Sequence, residues 1–107
     1  DPREVDSWAR ALERSPSTLP VITSTKSMIG HALGAAGALE SVACILMLDG
    51  GFIHPSLNCE DVHPEIEEYG DAIPHVVREM PTLRTIIKAG FGFGDVNACV
   101  IFRKWVA

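Results

Sequence analysis

Apolar positions recur every three or four residues along the first dozen, at Val5, Trp8, Ala9 and Leu12, with charged residues between them. That spacing predicts a helix with one apolar stripe. Asp1 can cap it, Pro2 suits its first position, and Glu4 stands where a capping box needs it. The helix is expected to end near Arg14, before the loop Ser15-Pro16-Ser17-Thr18. After Pro20 the pattern changes to the β-branched run Val21-Ile22-Thr23-Ser24, which predicts a short buried strand. A turn with Lys26 and Gly30 follows, then an almost wholly apolar stretch from about His31 to Leu48. Its apolar residues surround the helical axis, so this second helix is expected to be covered on all sides. Asp49-Gly50-Gly51 supplies its stop.

Residues 52–70 carry proline breaks and an acidic run, Glu65-Ile66-Glu67-Glu68, read as irregular chain with a solvated face. Thr85–Ala89 and Asn97–Arg103 predict two strands, joined through the turn Gly90-Phe91-Gly92-Phe93-Gly94-Asp95. The element order is therefore helix-strand-helix-strand-strand, an α/β chain.

Composition narrows this picture. At 107 residues, the chain has room for one domain at most, 1–107. A net charge of −5 and the lack of a basic stripe argue against nucleic acid. Cys44, Cys59 and Cys99 are too scattered for a disulfide framework or a metal site, so a reducing compartment is expected. No signal peptide is read at Asp1-Pro2-Arg3-Glu4. The apolar stretch 31–48 is of borderline spanning length, but Glu40 at its centre favours a helix buried in protein over a membrane span.

Glu40 also raises a chemical question. An ionised carboxylate inside an apolar helix costs several kcal/mol unless a cation pairs with it. Nine residues of helix separate it from His31, turning the two to opposite sides. Lys26, in the turn before the helix, is the cation expected to reach Glu40, with a purely structural buried pair as the alternative. His54, His63 and His75, scattered among loops, read as surface residues, His54 beside Pro55 as a possible part of a partner surface.

The ordered set Lys26, Gly30-His31, Leu33-Gly34-Ala35-Ala36-Gly37 and Glu40 resembles the β-ketoacyl-acyl-carrier-protein synthases, condensing enzymes of fatty-acid and polyketide synthesis. Gly51-Phe52-Ile53-His54-Pro55-Ser56-Leu57-Asn58 is similar to the loop after that family's helix, and Phe91-Gly92-Phe93-Gly94 with Asn97 to its final hairpin turn. The resemblance covers the C-terminal quarter or so of such an enzyme. It implies the C-terminal part of a thiolase-like layered α/β/α/β/α fold, completed by the N-terminal part of the same fold.

The resemblance further implies His31 and Lys26 as catalytic groups, with Glu40 supporting Lys26. His31 would be a neutral N–H donor to a thioester oxygen as it becomes an enolate. Phe93, with Phe91, would gate the acyl pocket. Ala89, Gly90 and Asp95 depart from the family's usual Asn, Ser and Gly, which leaves the fine gating geometry open. No metal or organic cofactor is implied. An acyl carrier protein is the implied partner, a homodimer the implied assembly, and the cytoplasm the expected location. The family's nucleophilic Cys and first catalytic His have no counterpart in this chain, so the chain alone is expected to be inactive. Two other readings are weighed: a non-catalytic scaffold of the chain-length-factor type, and a thiolase relative acting on coenzyme A thioesters. Retention of Lys26, His31 and Glu40 speaks against the scaffold, and the Lys26-to-His31 spacing against the thiolase.

Overall fold

A computed structural model describes residues 1–106. They form mixed α/β structure in two compact units, Asp1–Met28 with His54–Val77, and Ile29–Ile53 with the residues from Arg78 onward.

In the first unit, α1 spans Pro2–Ala11. The capping box forms as its sequence requires: the Asp1 carboxylate accepts from Glu4 N at 3.1 Å, while the Glu4 carboxylate accepts from Asp1 N at 3.3 Å. The helix stops three residues earlier than Arg14, with Leu12 as C-cap and Glu13 in the left-handed region at φ 52°. Val5 and Ala9, one turn apart, pack with Leu19, Ile66, Ala72 and Ile73 into a core. Ile66 and Ala72 belong to a 3-10 segment, Pro64–Ala72, in a stretch the sequence pattern read as irregular. Its Glu65, Glu67 and Glu68 are exposed around buried Ile66, as the acidic run suggested.

Val21–Ser24 is the main departure. The run forms no strand, and Ile22 N donates to Ala72 O at 2.8 Å. β-branched residues favour extended backbone, yet a strand also needs a neighbour offering a ladder. Here side chains take over that role, as described below. The order helix-strand-helix-strand-strand therefore does not hold as written.

The one-turn helix α2, Lys26–Ile29, closes the first stretch of the first unit; in the second unit, α3 spans Ala36–Gly50, after a 3-10 turn, Leu33–Ala35. The helix begins five residues later than the apolar pattern suggested, because the chain first passes through left-handed positions at Gly30 and Leu33. It ends where expected: Gly51 adopts φ 67°, and its N–H donates to Met47 O. A side chain at Gly51 would also meet Pro81 Cα at 3.2 Å, so glycine is needed there twice over.

Strand β1, Phe52–Ile53, pairs antiparallel with β2, Arg78–Glu79. Strands β3, Thr85–Gly92, and β4, Val96–Arg103, form an antiparallel hairpin with Thr85 opposite Arg103 and Gly92 opposite Val96. Helix α3 packs against β1, β3 and β4. Glu40, Cys44, Met47 and Leu48 are its buried stripe. Leu39, Val42, Ile45 and Leu46 stay exposed, so the helix is covered along one side only. Leu33–Gly50 is long and apolar enough to cross a membrane by length and composition alone. Its buried stripe packs on the strands and includes a carboxylate paired with Lys88.

Candidate active site

Lys26 opens α2 and is exposed; it belongs to the first unit, whereas His31, Glu40, Phe91 and Phe93 belong to the second. Backbone amides of Ser27 and Met28 donate to the carbonyls of Ser24 and Thr25, which winds the single turn that carries Lys26.

Gly30, at φ 76°, ends that turn. Nothing lies within 4 Å of a Cβ built there, so conformation rather than space calls for glycine. His31 follows with its ring exposed. Leu33 N donates to His31 Nδ1 at 2.9 Å. A backbone N–H can only donate, so Nδ1 is the acceptor and the ring proton sits on Nε2. The bond comes with local strain, because Leu33 is held at φ 51°, a region that costs a non-glycine residue on the order of 1 kcal/mol. The loop thus holds the imidazole by one nitrogen and offers N–H from the other.

Glu40 is 8% exposed and its carboxylate lies 3.1 Å from Lys88 Nζ on β3. The carboxylate in the apolar helix therefore has a cation on the hairpin, a lysine to which sequence reasoning gave no role. The signal was present: Lys88 sits among Ile86, Ile87 and Ala89, and a lysine inside an apolar strand needs a carboxylate as much as Glu40 needs a cation.

Cys44 lies one turn beyond Glu40. Burial pushes its thiol up from the ordinary 9.0, the Lys88 ammonium pulls it down by less, and Glu40 adds to the rise. It is thus a poor nucleophile, as its place inside a helix implied.

Phe91 is 59% exposed and Phe93 fully so. Phe93 stands at the hairpin tip with Gly94 at φ 77° and Asp95 at φ 60°. Asp tolerates the left-handed region better than most side chains, so Asp95 keeps the backbone turn that a glycine would make.

His63 and His75 are exposed as expected, but His54 is not: it is 7% exposed, with Pro55 and Ser56 buried beside it. The loop reading treated proline-flanked chain as surface. What holds the ring inside is a pair of hydroxyl partners, Thr25 and Thr23, 29 and 31 residues upstream, which linear spacing does not reveal.

Residues 1–60 match the family described as Beta-ketoacyl synthase, C-terminal domain. The chain belongs to the β-ketoacyl synthase family. Among curated relatives, 3-oxoacyl-[acyl-carrier-protein] synthase 1 of Haemophilus influenzae is 46% identical over 87 residues, 81% of this chain and 21% of the relative. The corresponding synthase 2 of Vibrio cholerae is 35% identical over 104 residues, covering 97% of this chain and 25% of the relative. The Streptomyces glaucescens tetracenomycin polyketide synthase ketoacyl synthase alpha subunit is 38% identical over 104 residues, 97% of this chain and 24% of the relative. The chain thus spans between a fifth and a quarter of these relatives' length. Within a β-ketoacyl synthase, Lys26, His31 and Glu40 fall inside the matched region, and the hairpin with Phe91 and Phe93 beyond it.

Proposed function

We propose that this chain supplies the enolate-stabilising part of a synthase that condenses malonyl-carrier protein with an enzyme-bound acyl thioester. The acyl group arrives on a cysteine contributed by the rest of the enzyme. The malonyl thioester then loses carbon dioxide, and the electron pair of the broken C–C bond moves into the thioester, placing negative charge on its carbonyl oxygen. The resulting carbon nucleophile attacks the acyl carbonyl, and the cysteine thiolate leaves.

His31 acts at the decarboxylation. A donor fixed beforehand toward the developing oxyanion lowers the barrier without reorganising at the moment of reaction. The observation that carries this reading is the 2.9 Å bond from Leu33 N to His31 Nδ1, which leaves Nε2–H facing outward from an exposed ring. Lys26 is assigned as a cation of the reaction site, with Glu40 as the carboxylate that supports it. Phe93, with Phe91, is assigned the acyl gate, at a tip where the backbone is already in glycine-like conformations.

The apolar side of α3 and the exposed Val96, Val100 and Ile101 of β4 support a further part of the reading: these faces pack against the remainder of a layered thiolase-like fold. An acyl carrier protein as donor of both thioesters, a homodimer and a cytoplasmic setting complete it. No metal or organic cofactor is assigned, because the thioester itself activates the carbon. The chain alone is assigned no condensing activity, lacking the family's nucleophilic cysteine. The relatives' names include both acyl-carrier-protein synthases and a polyketide subunit, and the reaction is the same for either.

In the complete synthase, His31→Ala is expected to abolish malonyl decarboxylation while acylation of the cysteine largely survives. Equal loss of both steps would remove His31 from the assigned role.

A further inference from the structure

His54 is a buried titratable side chain that the condensation mechanism does not use. Burying an imidazole is tolerated only when its polar atoms find partners, and here both ring nitrogens are occupied. Nδ1 lies 3.0 Å from Pro55 O and 3.1 Å from Thr23 Oγ1, and Nε2 lies 3.0 Å from Thr25 Oγ1. A carbonyl oxygen only accepts, so Nδ1 carries the proton, and in the neutral ring Nε2 accepts from the Thr25 hydroxyl. The Thr23 hydroxyl donates to His54 O at 2.9 Å.

The grip continues on either side. Ser56 Oγ accepts from Ser24 N at 3.0 Å and lies 3.4 Å from Thr23 Oγ1. Leu57 N donates to Ser27 Oγ at 2.9 Å, and that hydroxyl donates to Ser24 O at 2.7 Å. Residues 54–57 therefore hold Thr23, Ser24, Thr25 and Ser27, the residues on both sides of Lys26. This is the same segment that was expected as a strand and forms none. Hydroxyls and an imidazole do what a ladder would have done.

We propose that His54 is a positioning residue of the condensing reaction: by bridging Thr23 and Thr25 it fixes the segment that carries Lys26. The inference rests on the role given to Lys26 in the proposed function. A ladder would fix the direction of the backbone. The imidazole bridge fixes in addition the side chain next to Lys26, so the aim of the ammonium depends on the bond between Thr25 and Nε2.

The test separates the ring's two ends in the complete synthase. His54→Asn places an amide near the Nδ1 position but is too short for Thr25. His54→Gln reaches Thr25 with an oxygen that accepts its hydroxyl. Thr25→Val removes the same bond from the other side at nearly constant volume, and remains informative if His54→Asn fails to fold. Each variant is assayed for malonyl decarboxylation, with kcat and KM separated, and for acylation of the cysteine.

Displacement of a reacting geometry by about 1 Å lowers rates on the order of 100-fold. His54→Asn and Thr25→Val are expected to lose about 10-fold to 100-fold in kcat with KM and acylation little changed. His54→Gln is expected to recover most of the loss, and the double variant Thr25→Val with His54→Asn to be no worse than either single one. Full decarboxylation kcat in Thr25→Val overturns the inference, as does parallel loss of acylation and decarboxylation. His31→Ala and Lys26→Met in the same assay keep the two claims apart. If either decarboxylates at the unsubstituted rate, the underlying reading has failed. If both are disabled while Thr25→Val is unimpaired, only the role of His54 has.

Discussion

His31 and His54 are both rings held through hydrogen bonds, yet they occupy opposite situations. His31 is exposed, tied at Nδ1 alone, and offers a proton from Nε2. His54 is buried, tied at both nitrogens, and has its ring donor committed inside the protein. The difference lies in what approaches each ring. A strained backbone amide holds His31 from one side, whereas hydroxyls and a carbonyl surround His54. A histidine available for chemistry and one used as a tie are thus told apart by whether a proton remains free to be given away.

The largest effect should separate them by kind. His31→Ala removes an exposed side chain, so unfolding by urea should move by less than about 0.5 kcal/mol. Decarboxylation should nevertheless fall by about 100-fold or more, the loss typical of one oxyanion donor. His54→Ala should do the reverse in stability, lowering it by about 2 kcal/mol, because Thr25 Oγ1 and Pro55 O lose a partner. If His31→Ala proved the more destabilising of the two, the contrast would be wrong.

The next effect concerns Glu40. Breaking a buried ion pair by removing one member costs about 3 kcal/mol or more, and the Glu40–Lys88 pair is little exposed on either side. Lys88→Met should approach that loss in unfolding measurements, while Lys88→Arg should keep most of the stability. The same substitution is read at Cys44, whose thiol Lys88 pulls down. Without the ammonium the thiol rises further, so alkylation at pH 8 should slow at Cys44 and stay unchanged at exposed Cys99. Unchanged stability together with faster alkylation of Cys44 would mean that Lys88 does not neutralise this stripe.

These comparisons also show which parts of the protein could be read along the chain. The cap at Asp1 and the stop at Gly51 are local, set by neighbours a few residues apart, and they emerged from the sequence pattern, as did the two hairpin strands, although Gly90, Phe91 and Gly92, expected in the turn, are paired in the first of them. Lys26, His31 and Glu40 stood out through their spacing and a family resemblance, and the family itself is established by the match over residues 1–60. Lys88 was missed because its partner is 48 residues away, and His54 because its hydroxyl partners are 29 and 31 residues away. Val21–Ser24 misled for a related reason: residue preference reports the extended conformation, whereas strand formation depends on a neighbour supplied by the fold. The covering of α3 was overread too, since an apolar circumference states what a helix tolerates and not what this stretch of chain supplies.

The smallest effect returns to the strained residue beside His31. Leu33 is largely exposed, so its side chain contributes little burial, yet its φ of 51° carries the left-handed penalty. Leu33→Gly removes that penalty, about 1 kcal/mol, but gives the unfolded chain more freedom, which offsets up to a similar amount. The net change in unfolding free energy should therefore stay within about 0.5 kcal/mol of zero. The N–H that donates to His31 Nδ1 is present in either residue, so the nitrogen-15 shifts of the ring should still report a proton on Nε2. Decarboxylation should fall by only a few-fold, as a looser loop aims the donor less well. Should the proton move to Nδ1 in this variant, the leucine side chain rather than its amide would be what sets the ring, and the contrast with His54 would have to be drawn on packing instead.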